Sequence, residues 1–69
     1  MLASPLPGSG LLAGDVGTVV HVYPDAVAFE VEFLWLDGST AAVATVKAGA
    51  LRRPLTNEIT HARDFVRPV

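Results

Sequence analysis

The 69-residue chain contains no cysteine. That excludes disulfide staples, a thiol nucleophile and any thiolate-held metal. Aromatic residues are few, 7% of the chain, so few large side chains are available for a core. Basic residues are missing altogether before Lys47. Long hydrophobic runs are missing too. The longest uncharged stretch, Met1 to Gly14, carries Pro5, Pro7, two serines and three glycines, whereas a spanning helix needs about 20 mostly apolar residues. The first residues also lack the basic cluster that opens a signal peptide. These absences predict a cytoplasmic protein of a bacterium or archaeon, with no membrane segment.

What is present is one domain's worth of small apolar residues. A chain of this size buries only about 60% of its unfolded surface and is marginal alone. The apolar fraction is 51%, yet ten of those residues are alanine and ten are valine. At ~25 cal/mol per Å² of buried apolar area, such a core stabilises less than a leucine-rich one. A positive mean hydropathy beside a modest core predicts that some apolar surface is buried between chains.

Charge is unevenly placed. The net charge is −2. Positions 1–46 hold Asp15, Asp25, Glu30, Glu32 and Asp37 with no Lys or Arg. Positions 47–69 hold Lys47, Arg52, Arg53, Arg63 and Arg67 against Glu58 and Asp64. A basic end can mark a nucleic-acid contact. The plainer expectation is that it pairs with the acidic part of its own or a neighbouring chain.

Turn residues divide the chain into short extended runs. Residues 1–14 read as an N-terminal loop, rich in proline and glycine. Residues 16–23 predict a first strand, with Val16, Thr18, Val20 and Val22 on one face and Gly17, Val19, His21 and Tyr23 on the other. Pro24-Asp25 predict a turn. Residues 27–36 predict a second strand, Val27, Phe29, Val31, Phe33 and Trp35 facing one way and Ala28, Glu30, Glu32, Leu34 and Leu36 the other. Asp37-Gly38 is a strong hairpin signal of type I′. Residues 40–46 predict a third strand whose inward set is either Ala42, Ala44 and Val46 or Ala41, Val43 and Thr45. Lys47 to Leu51 predict a 3₁₀ turn, and Arg52-Arg53 a brief last strand that Pro54 ends. Residues 55–69 read as a tail with a short helix possible around Asn57 to Arg63. The expected fold class is all-β: a small SH3-like barrel of four to five short strands over residues 15–54, with a 3₁₀ turn before the last strand.

Leu6 to Tyr23, then Phe29-Glu30-Val31-Glu32-Phe33, Leu36-Asp37-Gly38 and Ala48-Gly49-Ala50-Leu51-Arg52-Arg53-Pro54 resemble the DUF4926 family of small bacterial proteins. The resemblance covers roughly residues 6–54. Its Gly-Asp-x-Gly-Thr-Val portion, Gly14 to Val19, also resembles KOW and other SH3-like barrels. The resemblance implies a fold and brings no catalytic residues. It also implies a hydrophobic first strand, for which Met1-Leu2-Ala3-Ser4 is short and weakly β-forming, so the expectation is a truncated first strand and an open sheet edge.

Candidate chemistry is thin. Gly8-Ser9-Gly10 to Gly14 precedes a strand, whereas a dinucleotide-binding glycine loop follows one and opens a helix. His21 and His61 lie too far apart in sequence for a usual metal pair. Ser4, Ser9 and Ser39 sit in loops with no triad pattern. Glu30 and Glu32 share one strand face about 7 Å apart, a spacing that serves acid–base work but more commonly solubilises. No catalytic residue, cofactor or metal is expected. Gly14, Asp15, Gly17, Asp37 and Gly38 are expected to be structural, with Gly17 at a bend. Trp35 is either core or an aromatic anchor.

The function expected is a non-catalytic protein–protein interaction module that self-associates as a dimer or larger oligomer, with a second bacterial protein as a further possible partner. Its interface residues are expected among Phe33, Leu34, Trp35, Leu36, Arg52 and Arg53. The alternative is a KOW-like nucleic-acid-binding module. The acidic first 46 residues and an isoelectric point near 5.4 weigh against it, since phosphate contact needs a positive surface.

Overall fold

The computed structural model describes residues 1–66. The fold is all-β. Strands β1 (Gly17–Val22), β2 (Ala28–Leu34) and β3 (Thr40–Lys47) form one open antiparallel sheet in the order β1-β2-β3. Helical structure among the described residues is limited to short 3₁₀ turns at Pro24–Ala26 and Ala48–Ala50. None of those residues forms a helix long and apolar enough to cross a membrane.

Two irregularities decide which side chains face inward. In the β1–β2 ladder Val19 pairs with Val31 and His21 with Glu30, so Val20 is an extra residue on β1. A bulge of this kind shifts the alternation by one. Gly17, Val19 and Val22 consequently stand opposite Phe33, Val31 and Phe29, while Thr18 and His21 stand opposite Glu32 and Glu30. The two clean faces expected for β1 are corrected by this one inserted residue. In the β2–β3 ladder, Phe29, Val31 and Phe33 pair with Val46, Ala44 and Ala42, and a second irregularity at Ala41 precedes Leu34 opposite Thr40. That resolves the open question about β3. Val46 and Ala44 pack on the core, Ala41 is buried as well, and Val43 and Thr45 face solvent.

The turns depart from expectation in an instructive way. At the β2–β3 connection the Gly38 N–H bonds to the Trp35 carbonyl, and the Trp35 N–H to the Ser39 carbonyl. Positive φ falls on Gly38 (90°) and not on Asp37. The hairpin is therefore a turn followed by a left-handed bulge glycine instead of type I′. Asp37 caps it, accepting from the Ser39 N–H and hydroxyl. At the first connection, Pro24 is followed by two left-handed residues, Asp25 (φ 60°) and Ala26 (φ 51°). The Ala26 N–H bonds to the Tyr23 carbonyl and the Tyr23 N–H to the Ala28 carbonyl.

The N-terminal segment does more than the sequence suggests. Leu2 forms a bridge with Leu51. Its N–H donates to the Asp15 carbonyl and its own carbonyl accepts from Gly14, each at 2.9 Å. On the other side the Ala3 N–H reaches the Ala50 carbonyl, and the Arg52 N–H reaches the Met1 carbonyl. Met1 to Ala3 are thus bonded along both flanks. Gly14 stands at φ 90°, a conformation open to glycine, where its N–H meets Leu2. The core is Leu2, Leu11, Val31, Phe33, Ala41 and Val46, with Leu2 only 1% exposed.

Among the described residues three strands form, against an expectation of four to five. Leu51 makes a single bridge, and Arg52 and Arg53 lie in no strand. The short helix expected around Asn57 to Arg63 is also not formed. Glu58 instead folds back, its carboxylate accepting from the Leu55 N–H and from both terminal nitrogens of Arg52. Residues 67–69, and with them Arg67 and the end of the expected tail, lie outside the described residues.

Candidate interaction surface

The hairpin that leaves β2 carries Leu34, Trp35 and Leu36 out of the sheet. Phe33, one residue earlier, points into the core at 4% exposure, so it supports this surface from beneath. Leu34 is half-exposed, Trp35 is 38% exposed, and Leu36 stands out at the tip, 95% exposed. Arg53 is exposed. Arg52 is bonded to Glu58 at 2.7–2.8 Å. That contact pulls the Glu58 carboxyl down to about 2. The hairpin residues therefore form one surface patch, and the two arginines lie apart from it on the chain leaving the Leu51 bridge.

A second segment joins this patch. Residues 60–66 run back along the hairpin. The Phe65 ring lies 5.6 Å from the Trp35 ring at an interplanar angle of 51°, within the favourable range for tilted aromatic pairs. The Arg63 guanidinium sits 5.6 Å from the Phe65 centroid. Its Nε donates to Asp15 Oδ1 at 2.8 Å, a terminal nitrogen pairs with Asp15 Oδ2, and a longer bond reaches the Gly10 carbonyl. A two-point guanidinium–carboxylate contact is the strong, oriented form of an ion pair. It is the largest cause holding the Asp15 carboxyl below its usual range, aided by the Leu12 N–H that also donates to it. Between hairpin and segment lies a cavity of about 290 Å³, walled by Leu11, Val16, Phe33, Trp35, His61 and Phe65.

The opposite face of the sheet is polar. Glu30 accepts from the Thr45 and Tyr23 hydroxyls at 2.7 and 2.8 Å, and Glu32 accepts from Thr40. His21 packs edge-on against Tyr23 at 4.9 Å. The bonds from Thr45 and Tyr23 lower the Glu30 pKa. A general acid working near neutrality needs the opposite shift. These contacts tie β2 to β3 across the face and to Tyr23, which follows β1 and packs on its His21. Among the described residues, no three of His, Asp and Glu are placed to hold a metal ion.

The family model for a domain of unknown function, DUF4926, matches residues 1–53. The chain belongs to the DUF4926 family. The match takes in Met1 to Pro5, consistent with the two-sided bonding of Leu2, and stops before the segment that carries Arg63 and Phe65. No curated protein and no solved structure matches the chain.

Sequence reasoning singled out the hairpin and Asp15 and expected the basic end, Arg63 included, to pair with the acidic part of the chain, but it missed Leu2, Leu11 and Phe65. Leu2 and Leu11 lie in a proline- and glycine-rich stretch without periodicity. Arg63 and Phe65 lie in a tail with no strand or helix pattern. The signal for Arg63 was the contrast between the acidic positions 1–46 and the basic end.

Proposed function

We propose that this DUF4926 protein is a non-catalytic protein–protein interaction module, an SH3-like barrel in outline, that associates with a second copy of itself through the edge of β1. The observation that carries this reading is the character of that edge. Among the described residues β2 is the one strand beside β1. Every residue from Thr18 to Val22 is exposed, including Val19, Val20 and Val22, and none is charged or proline. Edge strands normally carry lysine, proline or a bulge because unpaired N–H and C=O groups recruit another strand, and of these β1 has only the bulge at Val20. The other edge, β3, is rich in alanine, ends in Lys47 and fully buries Val46. β1 is thus the better template, rich in β-branched residues. Pairing of β1 with its copy across a two-fold axis uses the same surface twice.

Nucleic-acid binding has less support. Two of the basic residues needed for phosphate contact, Arg52 and Arg63, are engaged by Glu58 and Asp15. Sedimentation equilibrium at tens of micromolar tests the self-association. The native chain is expected to be a dimer. Val20→Lys, a charge on the edge, is expected to be a folded monomer, and Val43→Lys, an exposed position on β3, is expected to stay dimeric. A native chain that sediments as a monomer of 7.2 kDa contradicts the proposal.

A further inference from the structure

The segment carrying Arg63 and Phe65 is held unlike the rest of the chain. Residues 60–66 make no backbone-to-backbone hydrogen bond among the described residues. They are held by the side chains of Arg63 and Phe65, two positions apart in a segment that lies in no strand or helix. A peptide seated by an arginine and an aromatic anchor is bound in the same way. The walls that receive them, Asp15, Val16, Phe33 and Trp35, all fall inside the family-matched residues 1–53, while the segment falls outside. The linker before it is exposed from Arg52 to Ile59 and lies in no strand or helix. The segment can leave without breaking a ladder bond. The cavity of about 290 Å³ beside Trp35 leaves room next to the segment that is already seated.

We infer that the groove beside Trp35 is a docking site for an extended peptide with an arginine two residues before a phenylalanine, and that this chain's own Arg63-Asp64-Phe65 occupies it in cis. The Asp15 carboxylate, fixed by the Leu12 N–H, selects the guanidinium as a two-toothed partner, which lysine cannot match. Trp35 selects the ring. Aromatic and arginine anchors are the side chains that dominate protein interfaces. The tethered segment competes with an incoming peptide at an effective concentration on the order of millimolar, so the site is open only to a partner that displaces it. This site is separate from the β1 edge, and its test does not depend on self-association.

The test uses a fluorescein-labelled peptide copying residues 57–66 and reads anisotropy, with Trp35 emission as a second signal from the chain's one tryptophan. The full-length Arg63→Ala/Phe65→Ala variant, whose own segment no longer fits, is expected to bind the peptide at least ~10-fold more tightly than the native chain, because its site is vacant. Adding Asp15→Asn, which keeps an acceptor for the Leu12 N–H, is expected to weaken that binding ~10-fold or more. A peptide with alanine in place of its arginine is expected not to bind. No binding to the double variant, with a native circular dichroism spectrum and a cooperative melt, overturns the inference. So does equal binding with and without Asp15→Asn. If the double variant does not fold, the labelled peptide titrated with the native chain to millimolar concentration serves instead, and an anisotropy that does not rise overturns it. A double variant that sediments as a monomer where the native chain is a dimer assigns the segment to a neighbouring copy and overturns occupation in cis.

Discussion

Arg63 grips the carboxylate of Asp15 from 48 residues further along the chain, and the grip brings Phe65 against Trp35. The pair stands at the surface, its side chains 29% and 18% exposed, and solvent screening keeps the contribution of such a pair to stability small. Arg63→Ala is expected to lower the melting temperature only slightly and to shift Trp35 emission to the red as Phe65 leaves. An emission maximum unchanged from the native chain contradicts the contact.

Gly17 faces a different constraint from the one its sequence context suggests. Its φ is not in the left-handed region, so backbone freedom is not the reason for glycine. A Cβ there would lie 2.6 Å from Val31 Cγ1 and 2.8 Å from the Glu32 carbonyl oxygen. The second neighbour is backbone and moves only with the strand. Gly17→Ala is expected to lower stability by roughly 1–3 kcal/mol, as overpacking does, and Gly17→Val by more. A denaturant midpoint for Gly17→Ala equal to the native one contradicts this account.

Ala26 carries strain. It is an alanine at φ 51°, directly after Asp25 at φ 60°. Left-handed backbone costs a residue with a Cβ about 1–2 kcal/mol, and glycine escapes most of that at some expense in unfolded-chain entropy. Ala26→Gly is expected to raise stability by about 0.5–1 kcal/mol. A lowered melting temperature in that variant argues against the turn geometry.

Acid should loosen the chain where bonded carboxylates titrate below their usual range, at Asp15, Glu30, Asp37 and Glu58. Asp15 and Glu58 are both ionised and bonded in the fold, and both titrate below their usual range, Glu58 at about 2 in place of 4.5. A folded pKa below the unfolded one means that the stabilisation is complete above the unfolded value and is lost as pH falls towards the folded one. Urea midpoints are expected to be level around neutrality and to fall as pH drops from about 4.5 to about 2. Glu58→Gln is expected to make the lower part of that decline shallower. A midpoint as high at about pH 3 as at about pH 6 contradicts both contacts.

The strands were legible because their signals are local. Alternation in Phe29 to Phe33 and the turn residues at Pro24 and Gly38 are enough to place β1, β2 and β3 within a residue or two. The faces of β1 were not, because the bulge at Val20 is set by the ladder to β2 and leaves no mark in composition. Leu2 was read as part of a short, weak segment because its bonds go to Asp15 and Gly14 on one side while its bridge goes to Leu51 on the other. Each partner is distant in sequence, and periodicity says nothing about such pairs. The site followed the same rule. Trp35 and Leu36 stood out next to a hairpin signal, whereas Arg63 and Phe65 acquire meaning only once the fold returns them to Asp15 and Trp35.

The central claim is that β1 meets a second copy of itself, and amide hydrogen exchange across a range of protein concentrations tests it most directly. Pairing along an edge protects the backbone N–H groups it engages. The account predicts that the N–H groups of Thr18 to Val22 that face away from β2 exchange more slowly as concentration rises, while those of β3 are unchanged. Exchange in β1 that is independent of concentration would contradict it.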